Sequence, residues 1–92
     1  MKYTFFFVLD DSLGYEDPDM LEVAIRGDEG HKILDEKCKD REDLELPDNL
    51  DISYVNNICY SMLINRVFNN KLDLYSDYYQ AWIWDHQQQK FI

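Results

Sequence analysis

Lys2-Tyr3-Thr4-Phe5-Phe6-Phe7-Val8-Leu9 decides how the rest of the 92-residue chain is read. Aromatic and β-branched residues fill it with almost no polar alternation. That is the pattern of a strand lying centrally in a sheet with both faces covered. A central strand needs partners and two covering layers, and the chain offers both. Lys71 to Tyr75 and Tyr78 to Trp84 carry β-favouring residues, with Leu72/Leu74 and then Tyr79, Ala81 and Ile83 alternating against Gln80, Trp82 and Trp84; residues 90–92 can add a last short strand. The most secure helix spans 52–68, where Asp51 caps a run of Ile52, Val55, Ile58, Cys59, Met62, Leu63 and Val67 at three- and four-residue spacing. Arg66 is its sole charge, so more than one side of it is expected to be covered, either by the sheet and another element or by a second subunit.

Two further helices complete the expected α+β fold. Asp17-Pro18-Asp19 reads as N-cap, first helical position and acidic first turn of a helix over 18–26, which Gly27 stops. Leu21, Val23 and Ile25 also alternate as a half-buried strand would, and that rival stays open at this level. His31 to Asp43 has helical composition with Ile33, Leu34 and Cys38 as one narrow apolar stripe, and Pro47 ends any continuation. The expectation is a single domain over 1–92: a small, mainly antiparallel sheet (2–9, 71–75, 78–84, 90–92) with helices at 18–26, 31–43 and 52–68. At 46% apolar and 15% aromatic content the chain has ample material for one core.

Charge is sorted along the chain. Residues 10–51 hold 16 Asp/Glu against 5 Lys/Arg, a net of −11, while residues 52–92 hold three of each, out of a total of −10. An acidic surface of that density repels nucleic acid and anionic lipid and attracts basic surfaces. Exposed like charges are screened by salt, so salt is expected to stabilise the fold.

Chemistry-bearing motifs do not emerge. The glycines at 14, 27 and 30 form no phosphate-cradling loop, and the acids follow no calcium-loop spacing. His31, Cys38, Cys59 and His86 lack the close pairing of a zinc site. Cys59 lies on an apolar stripe, Cys38 has no helix N-terminus to activate it, and both are expected as reduced core-side thiols. No signal peptide or span of roughly 18 apolar residues is evident. The expectation is a cytoplasmic protein, in a cell's own cytoplasm or an infected host's, with no catalytic residues, cofactor or metal.

The function then resides in the acidic surface. Asp10, Asp11, Glu16, Asp17, Asp19, Glu36, Asp40, Glu42, Asp43, Glu45 and Asp48 are the candidate partner-binding residues, with Tyr78, Trp82 and Trp84 as an aromatic dimer or partner face. Glu36, Asp40 and Asp43, continued back to Glu29, would form a row at helical spacing of about 5–6 Å able to imitate one phosphate strand. Lys32, Lys37, Lys39 and Arg41 interleave with the acids and would neutralise some of them locally. The expected partner is a basic nucleic-acid-binding protein, a nuclease or nucleoid protein, and a homodimer would lengthen the charged surface.

In length, acidity, absence of a leader and an α+β pattern with an aromatic-rich C-terminal half, the chain resembles the small acidic phage DNA-mimic inhibitors of host nucleases, of the anti-restriction nuclease protein (Arn) type. The resemblance is one of kind across the whole chain and transfers no functional position. It implies inhibition of a host nuclease in a host–virus setting, and dimerisation. The alternative is an immunity or antitoxin protein that neutralises a cognate basic nuclease toxin, using Tyr75, Tyr78, Tyr79, Trp82 and Trp84 as aromatic anchors among acids.

Overall fold

The computed structural model describes residues 1–9, 13–75 and 78–92. Its elements run β1 (Lys2–Val8), α1 (Pro18–Arg26), α2 (Gly30–Lys37), β2 (Arg41–Glu45), α3 (Ile52–Asn69), β3 (Gln80–Asp85) and β4 (Lys90–Phe91). The strands form one antiparallel sheet in the order β2-β1-β3-β4. β1 is internal, as its composition requires: every residue from Tyr3 to Val8 is buried. Alternation divides it between two cores. Tyr3, Phe5 and Phe7 join Val55, Cys59 and Ile83 beneath α3. Phe6 and Val8 join Leu21, Ile25, Leu34, Trp82 and Trp84 beneath α1 and α2. Each fully buried Phe contributes about 1.5–3 kcal/mol to this two-sided arrangement.

The helix over 18–26 prevails over its strand rival because its start is specified chemically. The Asp17 carboxylate accepts from the Asp19 amide at 2.9 Å and Pro18 fills the first turn. Leu21 and Ile25, four apart, are the residues it buries. The following turn depends on Gly30, because a Cβ there would lie 1.7 Å from the Ile25 carbonyl oxygen. α3 is capped in the same way as α1, with Asp51 accepting from the Ser53 amide at 3.1 Å.

Three expectations are corrected. The segment 31–43 is not one helix: α2 ends at Lys37, Cys38 turns extended, and residues 41–45 form the outer strand β2. The Cys38 Sγ lies 3.4 and 3.5 Å from the Phe7 and Asp40 carbonyl oxygens, which share its single S–H, tying the helix exit to β1. Residues 71–75 are turn and loop, entered through Lys71 at φ 56°, so the sheet lacks that strand. The strand expected over 78–84 begins at Gln80 and runs to Asp85. Among the described residues of the single chain, the sheet covers one side of α3. Val55, Cys59 and Val67 face the sheet, while Ile52, Tyr54, Tyr60 and Phe68 are each more than half exposed. No helix among the described residues is long and apolar enough to cross a membrane.

Candidate acidic interface

β2 is the longer of the two edge strands and carries four charged residues. Its register against β1 pairs Phe6 with Arg41, Phe5 with Glu42, Thr4 with Asp43, Tyr3 with Leu44 and Lys2 with Glu45. Facing residues share a sheet face, so Arg41, Asp43 and Glu45 lie on the α1/α2 side and Glu42 and Leu44 on the α3 side. The strand breaks the apolar rule of the interior because one edge and part of each face meet solvent. Its burial accordingly alternates between exposed and half-buried.

The buried Thr4 hydroxyl organises one end of this surface. It donates to the Asp43 carboxylate at 2.6 Å and lies 2.7 Å from His86 Nε2. A hydroxyl has one proton, and Asp43 receives it, so His86 Nε2 is the donor in the second bond. This donation, with the Arg41 guanidinium nearby, holds the Asp43 carboxyl below the usual carboxylate range. His31 stacks on Trp84 with ring centroids 3.8 Å apart, and its Nε2 lies 3.3 Å from Asp35.

Local cations occupy much of the acidic run. Arg66 reaches from α3 to Asp40 at 2.8 Å and Glu42 at 3.0 Å. Arg41 lies over the Phe6 ring and pairs with Asp35 at 3.0 Å and Asp43 at 3.6 Å. The Met1 amino group holds Asp48 at 2.8 Å, a contact that keeps the Asp48 carboxyl below its ordinary value. Even so, the side chains of Asp43, Glu45 and Asp48 remain 68%, 74% and 88% exposed.

The expected site residues therefore divide. Asp40, Glu42, Asp43, Glu45 and Asp48 gather along β2 and its flanks. Glu16, Asp17 and Asp19 sit at the start of α1, which is fixed to the beginning of β3 by Tyr78 Oη donating to the Glu16 carbonyl at 2.7 Å and Gln80 Nε2 to the Pro18 carbonyl at 3.1 Å. β1 separates β3 from β2, so these are two patches. Glu36 belongs to α2, and the helical row Glu29, Glu36, Asp40, Asp43 does not exist because the helix stops before Asp40. Asp10 and Asp11 lie outside the described residues.

Trp82 and Trp84 are not an exposed face. They are 9% and 8% accessible, because β3 is internal and its α1/α2 side is as fully covered as its α3 side. Tyr78 is exposed at 41%. The two thiols lie in separate cores on opposite faces of the sheet, and neither is in a disulfide. Arg66, Thr4 and His86 are the organising residues that sequence reasoning did not single out. The signal for Arg66 was its isolation as the only charge on α3; nothing in the spacing of Thr4, Asp43 and His86 announced their convergence.

No family model matches the chain, and neither a curated protein nor a solved structure matches it.

Proposed function

We propose that the chain is a non-catalytic, acidic protein-binding inhibitor that occupies the nucleic-acid site of a nuclease or other basic DNA-binding protein as a DNA mimic. The observation that carries this reading is that Asp43, Glu45 and Asp48, on β2 and its exit, keep most of their side-chain surface open to solvent although Arg41 and the Met1 amino group pair with them. Asp43 and Glu45 stand two apart on one strand face, about 6.6 Å. That is close to two steps of the roughly 3.4 Å axial rise between phosphates of one DNA strand. The molecule's longest extent, 37 Å, slightly exceeds the roughly 34 Å of one duplex turn.

The test is affinity capture from a host lysate with the wild type and with an Asp43→Asn, Glu45→Gln, Asp48→Asn variant. The expected result is a basic DNA-binding protein retained by the wild type, released by salt and by duplex DNA, and retained less by the variant. Equal retention, or indifference to DNA, overturns the reading. Capture of a secreted nuclease toxin would select the immunity-protein alternative.

A homodimer through the outer face of α3 belongs to the same proposal, since Tyr54 and Phe68 are exposed there and the one charge, Arg66, turns to the sheet. Sedimentation showing a monomer at micromolar concentration would remove it.

A further inference from the structure

We propose that the free edge of β2 is a docking site for an extended basic segment of the partner protein, which adds to the sheet as a fifth strand antiparallel to β2. This rests on the reading of the chain as an acidic inhibitor and specifies how the partner is held.

The ladder fixes which groups face outward. The Leu46 amide donates to the Met1 carbonyl at 2.8 Å and the Phe7 amide to the Asp40 carbonyl at 2.9 Å. Hydrogen-bonded pairs alternate along an antiparallel ladder, so Leu44 and Glu42 also direct their backbone groups at β1. Arg41, Asp43 and Glu45 direct theirs away from it. Among the described residues β2 has a neighbour on one side only, and the outward N–H groups of these three meet no backbone acceptor. An edge is ordinarily blunted by charged side chains, proline, a bulge or extreme shortness. This one runs five residues in unbroken register without proline, and its four charged side chains, three of them acidic, oppose an acidic strand while leaving the outward backbone groups open to a basic one.

Charge selects the occupant. The residues of an incoming antiparallel strand that face Glu45 and Asp43 lie on the α1/α2 side, where these carboxylates are 74% and 68% exposed. Their pairs with Arg41 at 3.6 Å and with the Met1 amino group at 3.7 Å are longer than that of Glu42 with Arg66 at 3.0 Å, and their exposed oxygens leave room for a cation at both places. The residue between them faces Leu44, which is half-buried and packs at the margin of the α3 core, so an apolar side chain extends that core. Glu42 is already held by Arg66 and Arg41 by Asp35, and the places opposite them demand no charge. The recognised pattern is basic-apolar-basic followed by two uncharged residues. A second copy of the chain fits less well, since antiparallel pairing about Asp43 sets Asp43 against its own copy between two molecules of net charge −10.

The probe is the capped peptide Lys-Val-Lys-Val-Thr-Thr, with Glu-Val-Glu-Val-Thr-Thr as control, followed by amide hydrogen exchange on the wild-type protein. The expected result is exchange slowed about tenfold at Arg41, Asp43 and Glu45 by the basic peptide alone. Glu45→Pro removes one outward N–H without touching the β1 ladder, and Glu45→Gln removes the charge only. The proline variant should bind the peptide about tenfold more weakly than the glutamine variant. No added protection at the three amides overturns the proposal, as does protection that depends on protein concentration without peptide, or equal binding by the two variants. Peptide pairing without capture of any DNA-binding protein would sink the inhibitor reading and leave the edge site standing. Capture of a DNA-binding protein, with equal binding by Glu45→Pro and Glu45→Gln, would do the reverse.

Discussion

Arg66 Nε donates to Asp40 Oδ1 at 2.8 Å while its guanidinium carbon lies 4.0 Å from the centroid of the Phe7 ring. One side chain thus pins α3 to the segment between α2 and β2 and covers the end of β1. Nη2 completes a fork by donating to Glu42 at 3.0 Å. Arg66→Ala leaves two half-exposed carboxylates without their cation and uncovers an aromatic face, and should cost about 2 kcal/mol in urea unfolding. Arg66→Lys keeps the charge, loses the fork and the planar stack, and should fall about midway. Equal stability of the lysine variant and the wild type would contradict this geometry.

The parts of the fold that were legible in the sequence are those whose local signals agree with the tertiary outcome. Tyr3 to Val8 had to be internal because nothing polar alternates through it. Asp17-Pro18 and Asp51 specify helix starts that the capping bonds realise. β2 was hidden because four of its five residues are charged and an outer strand needs only Leu44 on the core side. The spacing of Leu44 and Leu46, two apart, was the available sign of a strand. The tryptophans misled for a related reason. Alternation tells which residues share a face, but only the strand order shows that both faces of β3 are covered. For the candidate site, acid content and the neighbouring Arg41 were legible and acid availability was not, since the partners Arg66, Thr4 and the Met1 amino group come from elsewhere in the chain.

Gly30 should tolerate no side chain. A Cβ at 1.7 Å from the Ile25 carbonyl oxygen has backbone as its obstacle, so no rotamer change relieves it. The α1–α2 turn must open, and Gly30→Ala should cost about 3 kcal/mol, the upper end of overpacking. Gly27→Ala is the matched control, with its nearest contact at 3.4 Å. Thermal midpoints of the two variants compare them directly, and a Gly30→Ala protein as stable as Gly27→Ala would refute the packing.

Thr4→Val tests the bridge from Asp43 to His86. Valine fills the same volume but lacks the hydroxyl, leaving Asp43 and His86 to water and costing about 1 kcal/mol. The pH dependence has a definite sign. Asp43 has a folded value below its ordinary 3.8, so its contribution is present above that value and is lost as pH falls through the folded one. Without Thr4, the Asp43 carboxyl should titrate closer to 3.8 by NMR, and the acid limb of the stability curve should lose part of its steepness. An unchanged Asp43 titration would show that Arg41 alone sets it.

Both thiols should be silent in the folded protein. Burial pushes the Cys59 thiol up to about 11 and raises Cys38 as well, so at pH 8 neither supplies appreciable thiolate. Iodoacetamide should modify neither thiol natively and both in urea. The raised value also fixes an alkaline limb. The unfolded thiol ionises near 9.0 and the folded one near 11, so the Cys59 contribution is complete below 9.0 and is lost as pH rises through that interval. Cys59→Ala removes this term at the expense of a small cavity beneath α3, and should lower stability at pH 7 while flattening its decline between pH 9 and about 11. Native alkylation of Cys59 at a rate comparable to the unfolded chain would mean that α3 does not seat on the sheet as described.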